Sequence, residues 1–400
     1  MAKPQKKMIV DGNHAAALGA MLARPDVIAA YPITPQTPLV QYLSQYVADG
    51  DLNSSVMEPE SEHSAMSILT GSSLAGARSF TATSSQGLAL MYEPYFRAST
   101  MRLPIVMDIV NREMISPQSV WGGPQDSLTV RDAGWIQIYV EDNQESLDMT
   151  LQAFKIAEHK EVLLPVNICY DGFYLSHLTE AVYVPDPDEA FAMLTPYKPA
   201  HVVLDPERPM AVDPLTPGKY LQYYRSLHME AMQNAKKVIR DTDAEFERLF
   251  GRGYGGLIDI YRAEDADYLL VTMGSMTGAG RVAVDRVREK GKKVGLLKVR
   301  SLRPFPQDEI VAAVKGRKGI GVVDRNVSFG WNTGIVYQEV MAALSGQVQV
   351  PSVPFVGGLG GEDLTVELME NAIEAVIADA ASPKAARAAH WLINEKENKL

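Results

Sequence analysis

The sequence predicts an α/β protein: a doubly wound parallel-sheet domain followed by a smaller second α/β domain. Three observations predict it. Over the first 180 residues, short apolar runs alternate with stretches of helical periodicity, the pattern of a parallel sheet covered on both faces. Prolines then crowd one stretch, at Pro185, Pro187, Pro196, Pro199, Pro206, Pro209, Pro214 and Pro217. From Asp267 the alternation resumes.

In chain order, residues 27–32 (VIAAYP) read as a strand running into a turn, and Pro35 and Pro38 open a helix through Tyr46. Residues 54–58 are a strand, and Ser61 to Ala75 a helix rich in Ala, Ser and Gly. The strand 77–83 leads into one helix from Gln86 to Thr100, and 103–110 is a buried strand. Glu145 to Glu158 is a helix, and VLLPVNICY (162–170) a strand. After the proline-rich stretch an amphipathic helix runs from Tyr220 to about Phe250. The second alternation has strands at 268–274, 293–299, 319–325 and 348–355, with helices from Gly278 to Lys290 and after Trp331. From Pro383 the sequence reads as a polar helical tail.

Composition narrows the function classes. The chain has 400 residues and a formal charge of −11, which disfavours nucleic acid and anionic membrane as partners, since both need a basic face. No run of eighteen apolar residues occurs, so no membrane span is expected, and the default location is cytoplasmic. The single cysteine, Cys169, lies in an apolar run. It reads as a buried thiol, or less simply as a nucleophile. One cysteine cannot hold an iron–sulfur cluster. The seven histidines form no zinc-like pair, so no metal site is expected.

In doubly wound sheets ligands bind beyond the carboxyl ends of the strands, so the polar residues there carry the argument. After 27–31 comes Pro32-Ile33-Thr34-Pro35, either a rigid turn beginning a helix or a hydroxyl presented at a crevice. After 54–58 comes Glu60-Ser61-Glu62-His63-Ser64. Carboxylates complement a helix N-terminus, yet the small residues that follow allow a cofactor to approach, and a carboxylate there is a general acid/base candidate. Thr83-Ser84-Ser85-Gln86-Gly87 is either a capped turn or an anion cradle. Arg112, leaving the strand 103–110, is suited to capturing a carboxylate or to a surface ion pair with Glu113 or Asp108.

Taken together, Tyr31-Pro32-Ile33-Thr34-Pro35, Glu60 to Ala65, Thr81 to Gly87, Asn111-Arg112, Gln125-Asp126, Arg131 to Trp135, Asp171-Gly172-Phe173, Arg303-Pro304-Phe305-Pro306 and Gly357 to Gly361 resemble the alpha subunit of the pyruvate:ferredoxin oxidoreductase (2-oxo acid oxidoreductase) family. The resemblance runs over roughly residues 8–380. It implies a multi-subunit, acyl-CoA-forming, thiamine-diphosphate-dependent 2-oxo acid oxidoreductase that is active only in complex. It divides the chain into a pyrimidine-side thiamine-diphosphate-binding domain (1–182), a linker and bracing helix (183–256), a transketolase C-terminal-like domain (257–380) and a tail (381–400). It implies that Glu62 contacts the aminopyrimidine, that Pro32, Ile33, Ser85 and Gln86 line the cofactor, and that Thr34 and Arg112 face the substrate. There is no Gly-Asp-Gly with a suitably spaced Asn. The resemblance therefore assigns the diphosphate and Mg²⁺ to a beta subunit, and the [4Fe-4S] clusters to a ferredoxin-like partner beside a gamma-type subunit. Electrons would pass to ferredoxin or NAD.

Two departures stand out. His14 replaces the family's Glu in Gly12-Asn13-His14-Ala15; no catalytic role is assigned to it. Pyruvate-using relatives carry an Asp and a bulky His or Trp before the Gln-Asp pair, where this chain has Gly123 and Pro124. The expectation is a roomier substrate pocket and a larger acyl group, such as an aromatic 2-oxo acid of the phenylglyoxylate type, with pyruvate as the alternative. A non-catalytic scaffold subunit, and a thiamine enzyme without electron transfer, are the competing classes.

Overall fold

The computed structural model describes residues 4–194, 196–199, 202–382 and 388–394. Two open sheets dominate. The first has seven strands in the order Ser301–Arg303, Ile136–Tyr139, Val166–Asp171, Val106–Asn111, Ser79–Thr83, Val27–Ala29 and Ser55–Met57. All its pairings are parallel except that of Ser301–Arg303 with Ile136–Tyr139. The second has six, in the order His390–Leu392, Ser352–Gly357, Gly319–Asp324, Tyr268–Thr272, Val294–Val299 and Ile258–Tyr261. Its only antiparallel pairing is at the Ile258–Tyr261 edge. A separate antiparallel pair joins Lys6–Val10 to Glu180–Val184.

Both faces of the first sheet are covered, as the near-continuous apolar strands require. One face packs on residues such as Leu18, Leu39, Phe154 and Phe246, and the other on Met66, Leu69, Leu88 and Tyr95, in a cluster that continues into the second sheet. The helix Gly218–Phe250 spans about 50 Å and buries one stripe, including Ala231, Ala235, Val238 and Ile239. The two sheets are tied through buried ion pairs: Glu145 receives Lys298 at 2.6 Å and Arg300 at 2.8 Å. Ser301–Arg303 pairs with Ile136–Tyr139 at the edge of the first sheet, next in sequence to Val294–Val299 of the second.

Several expected elements differ. The helix expected from Gln86 to Thr100 is two, Ser85–Leu90 and Tyr92–Thr100. Pro94 explains the break: it lacks an N–H and its ring would strike the carbonyl four residues earlier. The expected strand 162–170 begins only at Val166. Ile136–Tyr139 was not among the expected strands. The expected helical tail contains a strand at His390–Leu392; residues 383–387 and 395–400 lie outside the described residues. Among the described residues no helix is long and apolar enough to cross a membrane, and no group of three His, Cys, Asp or Glu is placed to hold a metal ion.

Candidate functional site at the strand ends

The order of the first sheet reverses beside Val27–Ala29, which pairs with both Ser55–Met57 and Ser79–Thr83. A crevice at such a reversal is the usual ligand position in this fold. The loops leaving these strands bring together most of the residues singled out from the sequence.

Glu62 is the first residue of the helix Glu62–Leu74, with Ser61 as N-cap. Its side chain is buried, with only 6% of the residue exposed. It faces Gly87 in the next loop: a Cβ built on Gly87 would fall 2.6 Å from Glu62 Oε1 and 2.5 Å from Thr83 Oγ1. Apart from its own backbone N–H, the carboxylate has no hydrogen-bond partner among the described residues, and burial raises its pKa. Thr83 Oγ1 and Gln86 Nε2 beside it are also buried without partners. Buried polar groups are normally satisfied, so the Glu62 and Thr83 oxygens facing Gly87, with the unpartnered Gln86 amide on the preceding residue, mark a candidate place for a polar ligand.

Ser84 and Ser85 do not extend that set. Ser84 Oγ donates to Val110 O at 2.7 Å and Ser85 Oγ to Glu113 O at 2.7 Å. Their hydroxyls hold loops together, while Gln86 and Thr83 remain available.

Thr34 lies before the helix Thr37–Asp49, whose N-cap is Gln36, so it makes no capping bond. It is exposed, with Pro32 exposed and Ile33 half-buried beside it. The turn is anchored from behind: Asn13 Nδ2 donates to Pro35 O at 2.9 Å, and Tyr170 OH donates to Asn13 Oδ1 at 2.9 Å. Arg112 reaches the same turn. Its Nη1 donates to Thr34 O at 2.9 Å and its Nε to Ser119 O at 3.3 Å. The alternative of a surface ion pair with Glu113 or Asp108 is not formed; Asp108 is fully buried and accepts from Thr150.

The residue that organises these loops, Asp126, was read from the sequence only as part of a motif. Its carboxylate accepts from Ser85 N at 2.9 Å, Arg112 N at 3.0 Å, Asn111 Nδ2 at 2.7 Å and Ser127 N at 2.7 Å. Burial nonetheless raises its pKa to about 6. Asp126 thereby clamps the loop after Ser79–Thr83 to the end of Val106–Asn111. Cys169 is buried, and burial pushes its thiol well up, which makes it a poor nucleophile.

Gly123 creates no space. A Cβ there would collide with Glu113 Oε1, so the volume it vacates is filled by the Glu113 side chain. A Cβ on Gly122 would likewise collide with Gly172 O. These glycines serve close approach rather than flexibility. Pro124 is buried and precedes the short helix Gln125–Thr129, accepting from Leu128 N at 3.0 Å. Beside this segment Trp121, 53% exposed, lies against Phe173 with ring centroids 4.7 Å apart.

The second sheet closes on the same region. Arg325 meets Asp171 at 2.7 Å, Gln125 Oε1 accepts from Val327 N at 3.2 Å, and Glu113 Oε1 accepts from Gly360 N at 3.2 Å.

A doubly wound sheet with a partnerless buried carboxylate at its switch point, and a second α/β sheet docked beside it, is the α/β fold of thiamine-diphosphate-binding subunits. Residues 18–244 match the family described as pyruvate flavodoxin/ferredoxin oxidoreductase, thiamine-diphosphate-binding, and residues 266–369 match pyruvate:ferredoxin oxidoreductase core domain II. The alpha subunit of NADH-dependent phenylglyoxylate dehydrogenase from Aromatoleum evansii is 47% identical, over 95% of this chain and 94% of that one. Pyruvate synthase subunit PorA from Methanocaldococcus jannaschii is 46% identical, over 92% of this chain and 94% of that one. In fold, the chain is similar to a solved 2-oxoglutarate:ferredoxin oxidoreductase from Magnetococcus marinus, with a TM-score of 0.72 at 22% identity, covering 93% of this chain and 66% of that one. The chain belongs to the pyruvate flavodoxin/ferredoxin oxidoreductase family.

Proposed function

We propose that this chain is the alpha-type subunit of a 2-oxo acid oxidoreductase that forms acyl-CoA and CO₂, and that Glu62 is its contact to the aminopyrimidine of thiamine diphosphate. The observation that carries the reading is the buried, partnerless Glu62 carboxylate facing Gly87. The residues present fit the group: the Thr83 hydroxyl and the Gln86 amide N–H are left without partners among the described residues, and the Glu62 carboxylate bonds only its own backbone N–H. Bound thiamine diphosphate supplies the carbon nucleophile and electron sink for decarboxylation.

In this reading Glu62 shares a proton between its carboxylate and a ring nitrogen; burial raises its pKa above the ordinary carboxylate value, which favours holding that proton. Arg112, already turned by Thr34 O and Ser119 O, presents its remaining N–H groups to the 2-oxo acid carboxylate. Thr34 presents its hydroxyl beside it. Pro32, Ile33 and Ser85 shape the cofactor side, and Gly123 and Pro124 the substrate side. A beta subunit is expected to hold the diphosphate and Mg²⁺. A ferredoxin-like subunit with [4Fe-4S] clusters and a gamma-type subunit complete a cytoplasmic complex that passes electrons to ferredoxin or NAD. The division at residues 182, 256 and 380 belongs to the same reading, and limited proteolysis of the complex tests it.

Two substrate readings each have an observation behind them. An aromatic 2-oxo acid such as phenylglyoxylate is favoured by the exposed Trp121 against the half-buried Phe173 beside the Arg112 loop and by the 47% identical relative. Pyruvate is favoured by Glu113 occupying the volume that Gly123 vacates and by the PorA relative. Turnover of both acids by the assembled complex decides: activity on pyruvate with none on phenylglyoxylate removes the aromatic reading, and the reverse removes pyruvate. Glu62→Ala in the same complex tests the catalytic role. The expected result is loss of turnover with subunit assembly intact; full activity would leave a scaffold subunit.

A further inference from the structure

We infer that Glu113 is a positioning residue for the 2-oxo acid carboxylate: it pins the loop 113–122, whose Ser119 carbonyl orients Arg112, against the Gly357–Gly361 segment of the second sheet. This rests on the role given to Arg112 above.

Three sets of contacts converge on Glu113. Its backbone N–H donates to Trp121 O at 3.1 Å and closes the loop at its base. Its carbonyl accepts from Ser85 Oγ at 2.7 Å, joining that base to the cofactor-side loop. Its carboxylate accepts from Gly360 N at 3.2 Å and occupies the space where a side chain at position 123 would stand. The partner segment is shaped for this approach. Gly358, Gly360 and Gly361 have φ of +70°, +61° and +76°, a backbone that residues with a Cβ rarely adopt. A Cβ on Gly361 would fall 3.0 Å from Trp121 Cβ, and one on Gly360 would fall 3.7 Å from Ser119 Oγ. The loop carrying Ser119 is thus held between its own base and the glycine segment.

The consequence falls on Arg112. Its two side-chain hydrogen bonds among the described residues go to Thr34 O and Ser119 O. If the 113–122 loop shifts, the Ser119 bond is lost and the guanidinium swings on Thr34 alone. Misplacing a binding group by about an ångström is enough to weaken its grip substantially. Burial raises the Glu113 pKa to about 6, with Asp126 and Asp171 adding to the rise and Gly360 N–H and Arg325 opposing it. The carboxylate is therefore kept in a place that does not favour its charge.

The test is steady-state kinetics of the assembled complex carrying Glu113→Ala, Glu113→Gln, Gly123→Ala or Arg112→Ala. Glu113→Ala and Gly123→Ala, which removes the carboxylate from its seat by collision, are expected to raise KM for the 2-oxo acid roughly tenfold, with kcat within about threefold. KM for CoA should not change. Glu113→Gln keeps an oxygen for Gly360 N–H and should stay within about twofold of the parent. A parent-like KM in Glu113→Ala, beside a raised KM in Arg112→Ala, overturns the positioning role alone. An unchanged KM in Arg112→Ala overturns the carboxylate reading and this inference with it. Equal rises in KM for the 2-oxo acid and CoA, or failure of both Glu113→Ala and Gly123→Ala to assemble, would reduce the contact to a purely structural one.

Discussion

Replacing Gly87 by alanine separates two effects that ordinarily travel together. In a helix interior this change normally stabilises by about 0.5–1 kcal/mol, because glycine has more conformational freedom to lose. At Gly87 the new methyl falls 2.5 Å from Thr83 Oγ1 and 2.6 Å from Glu62 Oε1, so both oxygens must retreat by roughly 0.8–0.9 Å to reach ordinary contact at about 3.4 Å. Both are buried, and overpacking of this kind costs about 1–3 kcal/mol. A net destabilisation of about 1–2 kcal/mol is expected. The larger effect is chemical: a catalytic group displaced by this much loses on the order of a hundredfold in rate. Gly71, in the helix that begins at Glu62, is the control, since nothing lies within 4 Å of its Cβ. Gly71→Ala should raise the melting temperature and leave turnover unchanged. The measurements are turnover of the assembled complex, its half-saturation for thiamine diphosphate, and melting temperature. Gly87→Ala with parent-like turnover and cofactor affinity would refute the placement of Glu62 against the ligand.

Two further outcomes follow from the buried charges. Burial raises Glu113 from its ordinary 4.5 to about 6, so the folded chain binds that proton more tightly than the unfolded one. Its contribution to stability is present below pH 4.5 and is lost as pH rises through 6. Glu113→Gln should therefore be more stable than the parent at pH 8, by at most about 2 kcal/mol, with the difference gone at pH 4.5 to 5; denaturant midpoints across pH measure it, and a difference independent of pH contradicts the assignment. Glu145 is the opposite case: burial alone would raise it, but Lys298 and Arg300 outweigh burial and hold it at about 2. Its stabilisation is present at neutral pH and lost only as pH falls toward 2. Glu145→Ala would leave the buried Arg300 without a carboxylate and Lys298 with Glu141 alone, and should cost about 3–5 kcal/mol at pH 7, read as a lowered denaturant midpoint; an unchanged midpoint would mean the pair does not couple the sheets.

The parts of the site that were legible in the sequence are those set by local rules. Strand ends followed by Thr34, Glu62, Gln86 and Arg112 could be read because a parallel sheet sends its carboxyl ends to one edge. The break at Met91 is signalled by Pro94, but helical periodicity runs through both halves and masks it. Ile136–Tyr139 is four residues long and follows directly on the motif Arg131 to Trp135, with no turn signal to set it off as a strand. The strand Ser301–Arg303 pairs with Ile138 and Gln137, 163 and 166 residues earlier in the sequence, and no local pattern reports such a partner.

Gly123 shows most clearly why the rest was hidden. A glycine in sequence is consistent with added room, added freedom or the close approach of another group, and these have opposite consequences for a pocket. Only the position of Glu113, ten residues earlier and folded back through its bond to Trp121, selects the third. The same holds for Asp126: a carboxylate in the first turn of a short helix looks like a dipole partner, yet three of its four donors come from two separate strand-end segments and only the fourth, Ser127 N, from its own helix. Residues that would touch ligand lie at predictable strand ends, whereas residues that hold those ends in register act through long-range contacts. If the substrate lies where we propose, its side of the crevice is governed by the second kind, so acyl-group size would have to be read from Glu113 and the glycine segment facing it, and not from the two glycines at 122 and 123.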